Sequence, residues 1–120
     1  MNIVYVEDNA LNFRLVQRML RHETITGAMT GKKGLERIWK ENPDLILLDI
    51  NLPDMDGFQV LNMIRANPIS RHIPVVAVTA NAMHGDRENI LAAGFDAYVA
   101  KPLTRLELQN AIRNASVVKV

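Results

Sequence analysis

Residues 44–57 read DLILLDINLPDMDG, in which a run of four apolar residues ends at Asp49 and a polar turn containing glycine follows. A continuous apolar run of this length is typical of a β-strand that is covered on both faces, as strands of parallel sheets are. Two further runs, IVYV at 3–6 and VVAV at 75–78, have the same character. The sequence therefore predicts a sheet built mainly of parallel strands.

Helical patterns alternate with the strand-like runs along the chain. We predict five strands, at Asn2–Val6, Thr24–Met29, Asp44–Asp49, Pro74–Val78 and Ala97–Ala100. We predict five helices between and after them, at Leu11–His22, Lys33–Glu41, Phe58–Ala66, Asp86–Ala93 and Thr104–Ala115. Because strand–helix–strand crossovers are right-handed, this alternation predicts an α/β fold of three layers, a doubly wound (βα)5 flavodoxin-like sandwich. Gly27 and its polar neighbours suit an edge strand, which favours a parallel five-stranded sheet of order 2-1-3-4-5.

The length and composition indicate one globular domain over residues 1–120. Hydrophobic residues make up 48% of the chain and charged residues 22%, with a net charge of +1, which disfavours disorder and nucleic-acid binding. Without cysteine the chain has no disulfide, thiol nucleophile or zinc–thiolate site. No apolar run approaches the length of a membrane span, and Glu7 and Asp8 interrupt the first run where a secretory signal would continue. We therefore expect a cytoplasmic protein that binds neither nucleic acid nor membrane.

The residues at the ends of the predicted strands indicate a chemistry. Glu7 and Asp8 follow the first strand, Asp49 ends the third, Thr79 follows the fourth and Lys101 follows the fifth. Parallel sheets gather ligands at the carboxyl ends of their strands, so these side chains should share one crevice. Three carboxylates there would repel one another, and oxygen-only ligands favour magnesium or calcium as the neutralising cation. The hydroxyl and the ammonium would then suit the oxygens of an anion such as a phosphoryl group.

Each of these residues also has an ordinary explanation when it is taken alone. Glu7 and Asp8 would cap the start of one helix, and Thr79 would cap another. A lysine at a strand end, such as Lys101, is usually solvated, although its bond to the following proline can be cis and turn the ammonium over the crevice. Capping alone does not explain three acids at one sheet edge, because their repulsion and desolvation reduce stability.

Four segments resemble the receiver domain of two-component response regulators. They are VEDN at 6–9, LLDINLPDMDG at 47–57, VVAVTA at 75–80 and AYVAKP at 97–102, and in order and spacing they extend over essentially the whole chain. The resemblance implies that Asp49 accepts a phosphoryl group from a phosphohistidine in a reaction that depends on Mg²⁺. It also implies a switch that catalyses its own phosphotransfer and dephosphorylation, rather than an enzyme with a turnover substrate.

The same resemblance implies roles for the neighbouring residues. Glu7 and Asp8 match the acid pair around the metal. Asn51 matches the position whose backbone carbonyl, together with Asp49, completes the metal ligands. Lys101 matches the lysine that contacts the phosphoryl oxygens.

Two further positions match the family's conformational switch. Thr79 matches the switch hydroxyl and Tyr98 the switch aromatic, and we expect Tyr98 to turn from an exposed to a buried position on phosphorylation. The alternative is a tyrosine that is half-buried at the sheet edge and has no such role. Ala80 is small and leaves room for the phosphoryl group.

The resemblance implies a histidine kinase or a histidine phosphotransfer protein as the phosphoryl donor. The first helix has more apolar residues than one core-facing stripe needs, and we expect Leu11 and Leu15 to contact this donor. A downstream target protein, or an output domain on another chain, would bind a face that includes Met83, His84, Arg87, Tyr98 and Arg105. The chain would be either a free-standing regulator or the receiver of a hybrid histidine kinase.

Two other phosphate-handling classes fit the sequence less well. A phosphatase of the haloacid dehalogenase kind needs a second aspartate two residues after its nucleophile, where this chain has Asn51. A flavodoxin-like nucleotide binder needs a loop rich in glycine and hydroxyls, where this chain has Glu7 and Asp8. One alternative stays open, which is a pseudo-receiver that keeps the fold as a protein-interaction module without phosphoryl transfer.

Overall fold

The computed structural model describes residues 1–80 and 84–116, and in this part of the chain strands and helices alternate as predicted. The strands are β1 (Asn2–Val6), β2 (Thr24–Ala28), β3 (Leu45–Asp49), β4 (Val75–Thr79) and β5 (Ala97–Ala100). The helices are α1 (Ala10–Met19), α2 (Gly31–Glu41), α3 (Gly57–Ala66), α4 (His84–Ala92) and α5 (Arg105–Ala115). None of these described helices is long and apolar enough to cross a membrane.

The strands form one parallel sheet of order β2-β1-β3-β4-β5, which confirms the predicted flavodoxin-like topology. β2 lies at an edge, where its Gly27 also leaves room for a ring of α1, since a Cβ there would lie 2.7 Å from Phe13 Cε2. The register aligns Asp49 with Val78 on β4 and Thr79 with Ala100 on β5. The carboxyl ends of the central strands therefore meet along one edge of the sheet.

The core consists of two apolar clusters, one on each face of the sheet. Every residue of β3 is buried, with Ile46 and Leu48 packed on the α2 and α3 side and Leu45 and Leu47 on the α1 and α5 side. Each such leucine or isoleucine contributes about 1.5–3 kcal/mol when it is fully buried. Burial on both faces explains why this strand reads as a continuous apolar run.

Helix α2 begins two residues earlier than predicted because two side chains hold its first turn. Thr30 caps it by accepting a hydrogen bond from the Lys33 N–H at 3.1 Å. Asp54, from the loop between β3 and α3, accepts from the N–H groups of Gly31 and Lys32 at 2.8 and 3.0 Å. Local sequence does not reveal this second contact, because Asp54 lies more than twenty positions away along the chain.

The ends of several helices have local causes that the structure shows. α2 ends at Asn42, which adopts the left-handed conformation with φ of 48° before Pro43, and α4 is followed by Gly94 with φ of 111°. α1 is shorter than predicted, since Leu20 leaves helical geometry and accepts from the Glu23 N–H in the turn into β2. Thr104 caps α5 by accepting a hydrogen bond from the Glu107 N–H at 3.3 Å, so this helix begins one residue later than predicted.

The composition of residues 66–72, ANPISRH, predicts an exposed loop, and this prediction is wrong at Ser70. The Ser70 side chain is fully buried, where its hydroxyl accepts from Trp39 Nε1 at 3.1 Å and donates to the Ile64 carbonyl at 2.8 Å. Arg65 binds the same region by donating to the Ile73 carbonyl at 2.8 Å and to Asp96 Oδ2 at 2.8 Å. These contacts hold the amino-terminal edge of the sheet, opposite the edge where Asp49 lies.

Candidate functional site

Three carboxylates converge at the carboxyl-terminal edge of the sheet. Glu7 and Asp8 follow β1, Asp49 is the last residue of the neighbouring β3, and one oxygen from each lies within 4.8 Å of the others. Glu7 and Asp49 are buried, whereas Asp8 is exposed at the rim. The cluster thus has a buried floor and an opening to solvent.

Lys101 reaches this cluster from β5, two strands away from β3. Its Nζ lies 3.0 Å from Glu7 Oε1 and 3.0 Å from Asp49 Oδ2, and its peptide bond to Pro102 is cis. Partial burial lowers the pKa of the Lys101 ammonium, but the hydrogen bonds to the two carboxylates outweigh it and raise the pKa overall. Lys101 is therefore held in its charged form between two acids.

The two oxygens of the Glu7 carboxylate have different surroundings. Oε1 accepts hydrogen bonds from the Asn12 amide at 2.8 Å and the Tyr5 hydroxyl at 3.2 Å, besides its ion pair with Lys101. Oε2 is buried and has no hydrogen-bond partner among the described residues. Burial is the largest cause that raises the pKa of Glu7, and the adjacent Asp49 raises it further. The hydrogen bonds from Lys101 and Asn12 lower this pKa but do not outweigh the other two causes. Leaving a buried acceptor unpaired is unfavourable, so the fold tolerates a defect at this point.

The donor set fits a hard divalent cation. Glu7, Asp8 and Asp49 offer only carboxylate oxygens, which are the ligands that magnesium and calcium prefer. With all groups ionised, the three acids and Lys101 leave two negative charges uncompensated within the cluster. A cation bound there would neutralise these charges and supply a partner for the buried Glu7 Oε2.

The loop that follows Asp49 borders the same crevice. The Asn51 N–H donates to Asp49 Oδ1 at 2.9 Å, and Asn51 itself is exposed. Gly57 allows the tight return of this loop, because a Cβ there would lie 2.7 Å from the Ile50 backbone. The contacts of Asp54 with α2 hold the other side of the loop, and those backbone hydrogen bonds lower the pKa of the Asp54 carboxyl.

Thr79 lies on β4, next to β3, and Tyr98 lies on β5, one strand further out. Thr79 ends β4 and is buried at 3% exposure. Tyr98 pairs with Ala77 in the sheet. The prediction was an exposed side chain, but Tyr98 is half-buried, which is the state that the alternative described. The Arg87 guanidinium lies 5.7 Å from the centre of this ring and forms a cation–π contact.

The predicted contact surfaces involve different elements. Leu11 and Leu15 are 67% and 48% exposed on α1, the helix that follows Glu7 and Asp8. Arg87 and Arg105 are exposed, and Arg87 lines a groove of about 540 Å³ between α4, β5 and α5. His84 begins α4, and Met83 lies outside the described residues.

Tyr5 and Asn12 were not among the predicted site residues. Tyr5 looked like a core residue of β1 and is indeed fully buried, but it lies two positions before Glu7 and so on the same face of the strand. Asn12 belongs to the first turns of α1. A phenol hydroxyl in an otherwise apolar strand, two residues before Glu7, was the signal in the sequence that could have pointed to this contact.

Residues 3–113 match the family model described as the response regulator receiver domain. The polar-differentiation response regulator DivK of Brucella ovis is 41% identical over 106 residues, which cover 86% of this chain and 85% of DivK. The receiver domain of the sensor histidine kinase PA1611 of Pseudomonas aeruginosa, solved with a magnesium ion in its active-site cleft, has a TM-score of 0.85 and 39% identity over 97% of this chain and 98% of that one. A CheY-like receiver protein of Methanospirillum hungatei has a TM-score of 0.82 and 29% identity, over 93% and 90% of the two chains.

Replacing Glu7 by glutamine should stabilise the protein in the absence of divalent cations. The amide oxygen can keep the contacts of Oε1, while the amide nitrogen replaces the unpaired Oε2 next to Asp49 and can donate to it. We expect the free energy of unfolding at pH 7 to rise by about 1–3 kcal/mol, the cost of an unsatisfied buried group. Urea unfolding in EDTA, followed by circular dichroism, measures this change.

The gain should depend on pH. Because folding raises the pKa of Glu7 above 4.5, the native state binds more protons than the unfolded state between these two pKa values. The wild-type protein therefore loses stability as the pH rises through the folded pKa, whereas Glu7→Gln does not. The difference should disappear below about pH 4.5. Glu36→Gln, which changes an exposed glutamate of α2, is the control, and an equal effect of both variants would contradict the prediction.

Proposed function

The chain belongs to the response regulator receiver family, and on this premise we propose that it is the phosphoacceptor switch of a two-component phosphorelay. Asp49 receives the phosphoryl group from a phosphohistidine of a histidine kinase or histidine phosphotransfer protein. The observation that carries the proposal is the convergence of Lys101, Glu7 and Asp8 on one buried carboxylate at a strand end. We treat residues 1–120 as one receiver domain.

The transfer uses groups that are already in place around Asp49. A carboxylate oxygen forms a bond to phosphorus while the phosphorus–nitrogen bond of the phosphohistidine breaks, and the leaving imidazole keeps the electron pair and takes up a proton. Lys101, which is 3.0 Å from Asp49 Oδ2, stabilises negative charge on the transferring oxygens. The product is an acyl phosphate. Attack by water on its phosphorus releases inorganic phosphate and restores the carboxylate.

Glu7, Asp8 and Asp49, together with the backbone carbonyl of Asn51, would hold a magnesium ion. When bound, the ion supplies positive charge that offsets the repulsion between the acids and the incoming phosphoryl group. The similar receiver domain of PA1611 contains a magnesium ion in its active-site cleft, which supports this assignment. The unpaired Glu7 Oε2 supports it independently, because a cation is the partner that this oxygen lacks.

Receiver domains act as signalling switches rather than as metabolic enzymes, and the same strand ends suggest how this one would switch. The phosphoryl oxygens offer the Thr79 hydroxyl a hydrogen bond that the bare Asp49 carboxylate does not. Movement of Thr79 towards them would open space for Tyr98 to turn inward from its half-buried position under Arg87. The change at Tyr98 would then alter the surface that a target protein contacts.

The proposed partners would bind different faces. Leu11 and Leu15, exposed on the helix that follows Glu7 and Asp8, would contact the phosphohistidine-bearing donor. A downstream target or output domain would contact the groove beside Tyr98, which Arg87 lines. The exposed Arg105 at the start of α5 would belong to the same contact surface. Because such partners act in the cytoplasm, we propose a cytoplasmic location for this protein. We propose no binding to nucleic acid or to membranes.

Incubation with Mg²⁺ and acetyl phosphate should add one phosphoryl group to the wild-type protein. The adduct should be absent from Asp49→Ala, because that variant lacks the acceptor, and from samples that contain EDTA. Asp54→Asn is the matched control, since it changes another aspartate of the same loop that contacts α2 instead of the site. Intact-protein mass spectrometry measures the adduct.

The opposite result would overturn the proposal. If neither acetyl phosphate nor a competent histidine kinase produced an adduct on folded wild-type protein, the chain would be a pseudo-receiver that acts only as an interaction module. An adduct that persisted in Asp49→Ala would place the acceptor elsewhere.

The α1 surface can be tested separately from the phosphoacceptor. Leu11→Ala and Leu15→Ala should slow phosphotransfer from a phosphorylated histidine donor by about tenfold or more together, since loss of an apolar contact weakens association by about 1 kcal/mol or more for each. Transfer from acetyl phosphate should be unchanged. Ile69→Ala, which removes another exposed apolar side chain far from α1 in sequence, is the control. Unchanged transfer from the protein donor in the double variant would exclude this surface.

The proposed switch predicts that Thr79→Val is phosphorylated but does not respond. Valine has nearly the same shape as threonine and lacks the hydroxyl, so the adduct should form while the Tyr98 ring keeps its resting environment. Nuclear magnetic resonance of ¹³C-labelled tyrosine, with Tyr98 assigned through Tyr98→Phe, reports the ring before and after phosphorylation. An equal shift in wild type and Thr79→Val would contradict this role, and Thr24→Val on β2 should behave as wild type.

A further inference from the structure

We propose that Tyr5 and Asn12 are positioning residues that orient the Glu7 carboxylate towards the metal. Both bind Glu7 Oε1, and neither lies close enough to contribute a hydrogen bond to Oε2. The inference rests on the proposed function, because the magnesium site is part of that function. It adds two residues that the family resemblance does not assign.

The two oxygens of the Glu7 carboxylate differ in the number of hydrogen bonds that they accept. Oε1 accepts from Asn12 Nδ2 at 2.8 Å, from Lys101 Nζ at 3.0 Å and from the Tyr5 hydroxyl at 3.2 Å. Oε2 is equally buried, and in the described part of the chain it receives no hydrogen bond. Three donors on one oxygen fix the rotation of the carboxylate, and the other oxygen is the one left for a cation.

Tyr5 is held firmly enough to act in this way. Its ring is fully buried in β1 and stacks on Phe13 with 6.3 Å between ring centres and 24° between ring planes. Phe13 in turn fits over Gly27, where any Cβ would lie 2.7 Å from the ring. Gly27, Phe13 and Tyr5 thus form a continuous contact that fixes the height of the hydroxyl beside Glu7.

Asn12 approaches Glu7 from a different element. It lies in α1, whose amino terminus is capped by Asn9 through hydrogen bonds to the Leu11 and Asn12 N–H groups at 2.9 and 3.2 Å. The cap holds the first turn of α1, from which the Asn12 amide donates to Glu7. Glu7 is therefore clamped between a strand residue on its own β1 and a helix residue of α1.

A purely structural explanation of these contacts is that the buried Tyr5 hydroxyl needs a hydrogen-bond partner. That explanation accounts for Tyr5 but not for Asn12, which is only half-buried and can be solvated. It also does not account for the concentration of donors on Oε1 while Oε2 remains unpaired. Outer-shell hydrogen bonds that orient a metal-binding carboxylate explain both, and their removal typically weakens metal binding by about 10–100-fold.

The test measures magnesium binding by the unphosphorylated protein, with no phosphoryl donor present. Tyr5→Phe keeps the ring and removes only the hydroxyl, and Asn12→Ala removes the amide. We expect each to raise the Kd for Mg²⁺ about tenfold, and the double variant to raise it further. Isothermal titration calorimetry gives the Kd, and titration with Mn²⁺ followed by electron paramagnetic resonance gives a second spectroscopic measure.

The controls separate metal binding from stability. Asn62→Ala removes an exposed amide from α3 and should leave the Kd unchanged. Circular dichroism and urea unfolding in EDTA show whether each variant is folded, and Asn12→Ala serves if Tyr5→Phe does not fold. Loss of stability with an unchanged Kd would mean that the contacts are only structural.

The outcomes distinguish this inference from the proposed function. A folded double variant that binds Mg²⁺ as tightly as wild type, or more tightly, would overturn the positioning role, as would a wild-type protein that does not bind Mg²⁺. A wild type that binds Mg²⁺ and loses affinity in both variants, yet gives no Asp49 adduct, would support the positioning role and overturn the phosphoacceptor function.

Discussion

One lysine between two buried carboxylates is the interaction on which the site depends. Lys101 lies 3.0 Å from both Glu7 and Asp49, on strands that are not its neighbours, so its ammonium ties β5 to β1 and β3 across the carboxyl-terminal edge of the sheet. Removing Lys101 would leave two buried carboxylates without their shared cation, and loss of the partner of a buried charge typically costs about 3–5 kcal/mol. The two acids therefore depend on the charge of this one lysine.

Even with Lys101, the compensation of charge is incomplete. The pKa of Glu7 is raised because burial and Asp49 outweigh the effect of Lys101 and Asn12. The ionised form of Glu7 therefore reduces the stability of the fold. A bound cation, alone or together with a phosphoryl group, would offset this effect. The opposite edge of the sheet differs, since Arg65 there pairs with Asp96 and with backbone carbonyls in well-formed contacts.

The loop after Asp49 extends this coupling to α2. Asp54 binds two backbone N–H groups at the start of α2, and Asn51 binds Asp49 from the same loop. Hydrogen bonds of Asn51 and Asp54 thus connect the Asp49 carboxylate to the start of α2 through one loop. Asp49 and Thr79 lie at the same edge because the ends of neighbouring parallel strands lie side by side.

The sequence by itself determined the strands, their order and the convergence of the strand-end residues. Apolar runs such as that before Asp49 report burial on both faces, and the handedness of crossovers converts the alternation of elements into one topology. Glu7, Asp49 and Lys101 could be placed together because each directly follows or ends such a run. The resemblance to receiver domains rests on the same positions.

Only the tertiary structure decided how the individual atoms of the site are used. The unequal oxygens of Glu7, the hydrogen bond from Asn12 and the contact of Asp54 with α2 all join residues on different elements. Ser70 is buried for the same kind of reason, since Trp39 reaches it from another helix. Hydrophobic periodicity encodes which face of an element is buried, but it does not encode the distances of a few ångströms between side chains that decide which polar atoms meet.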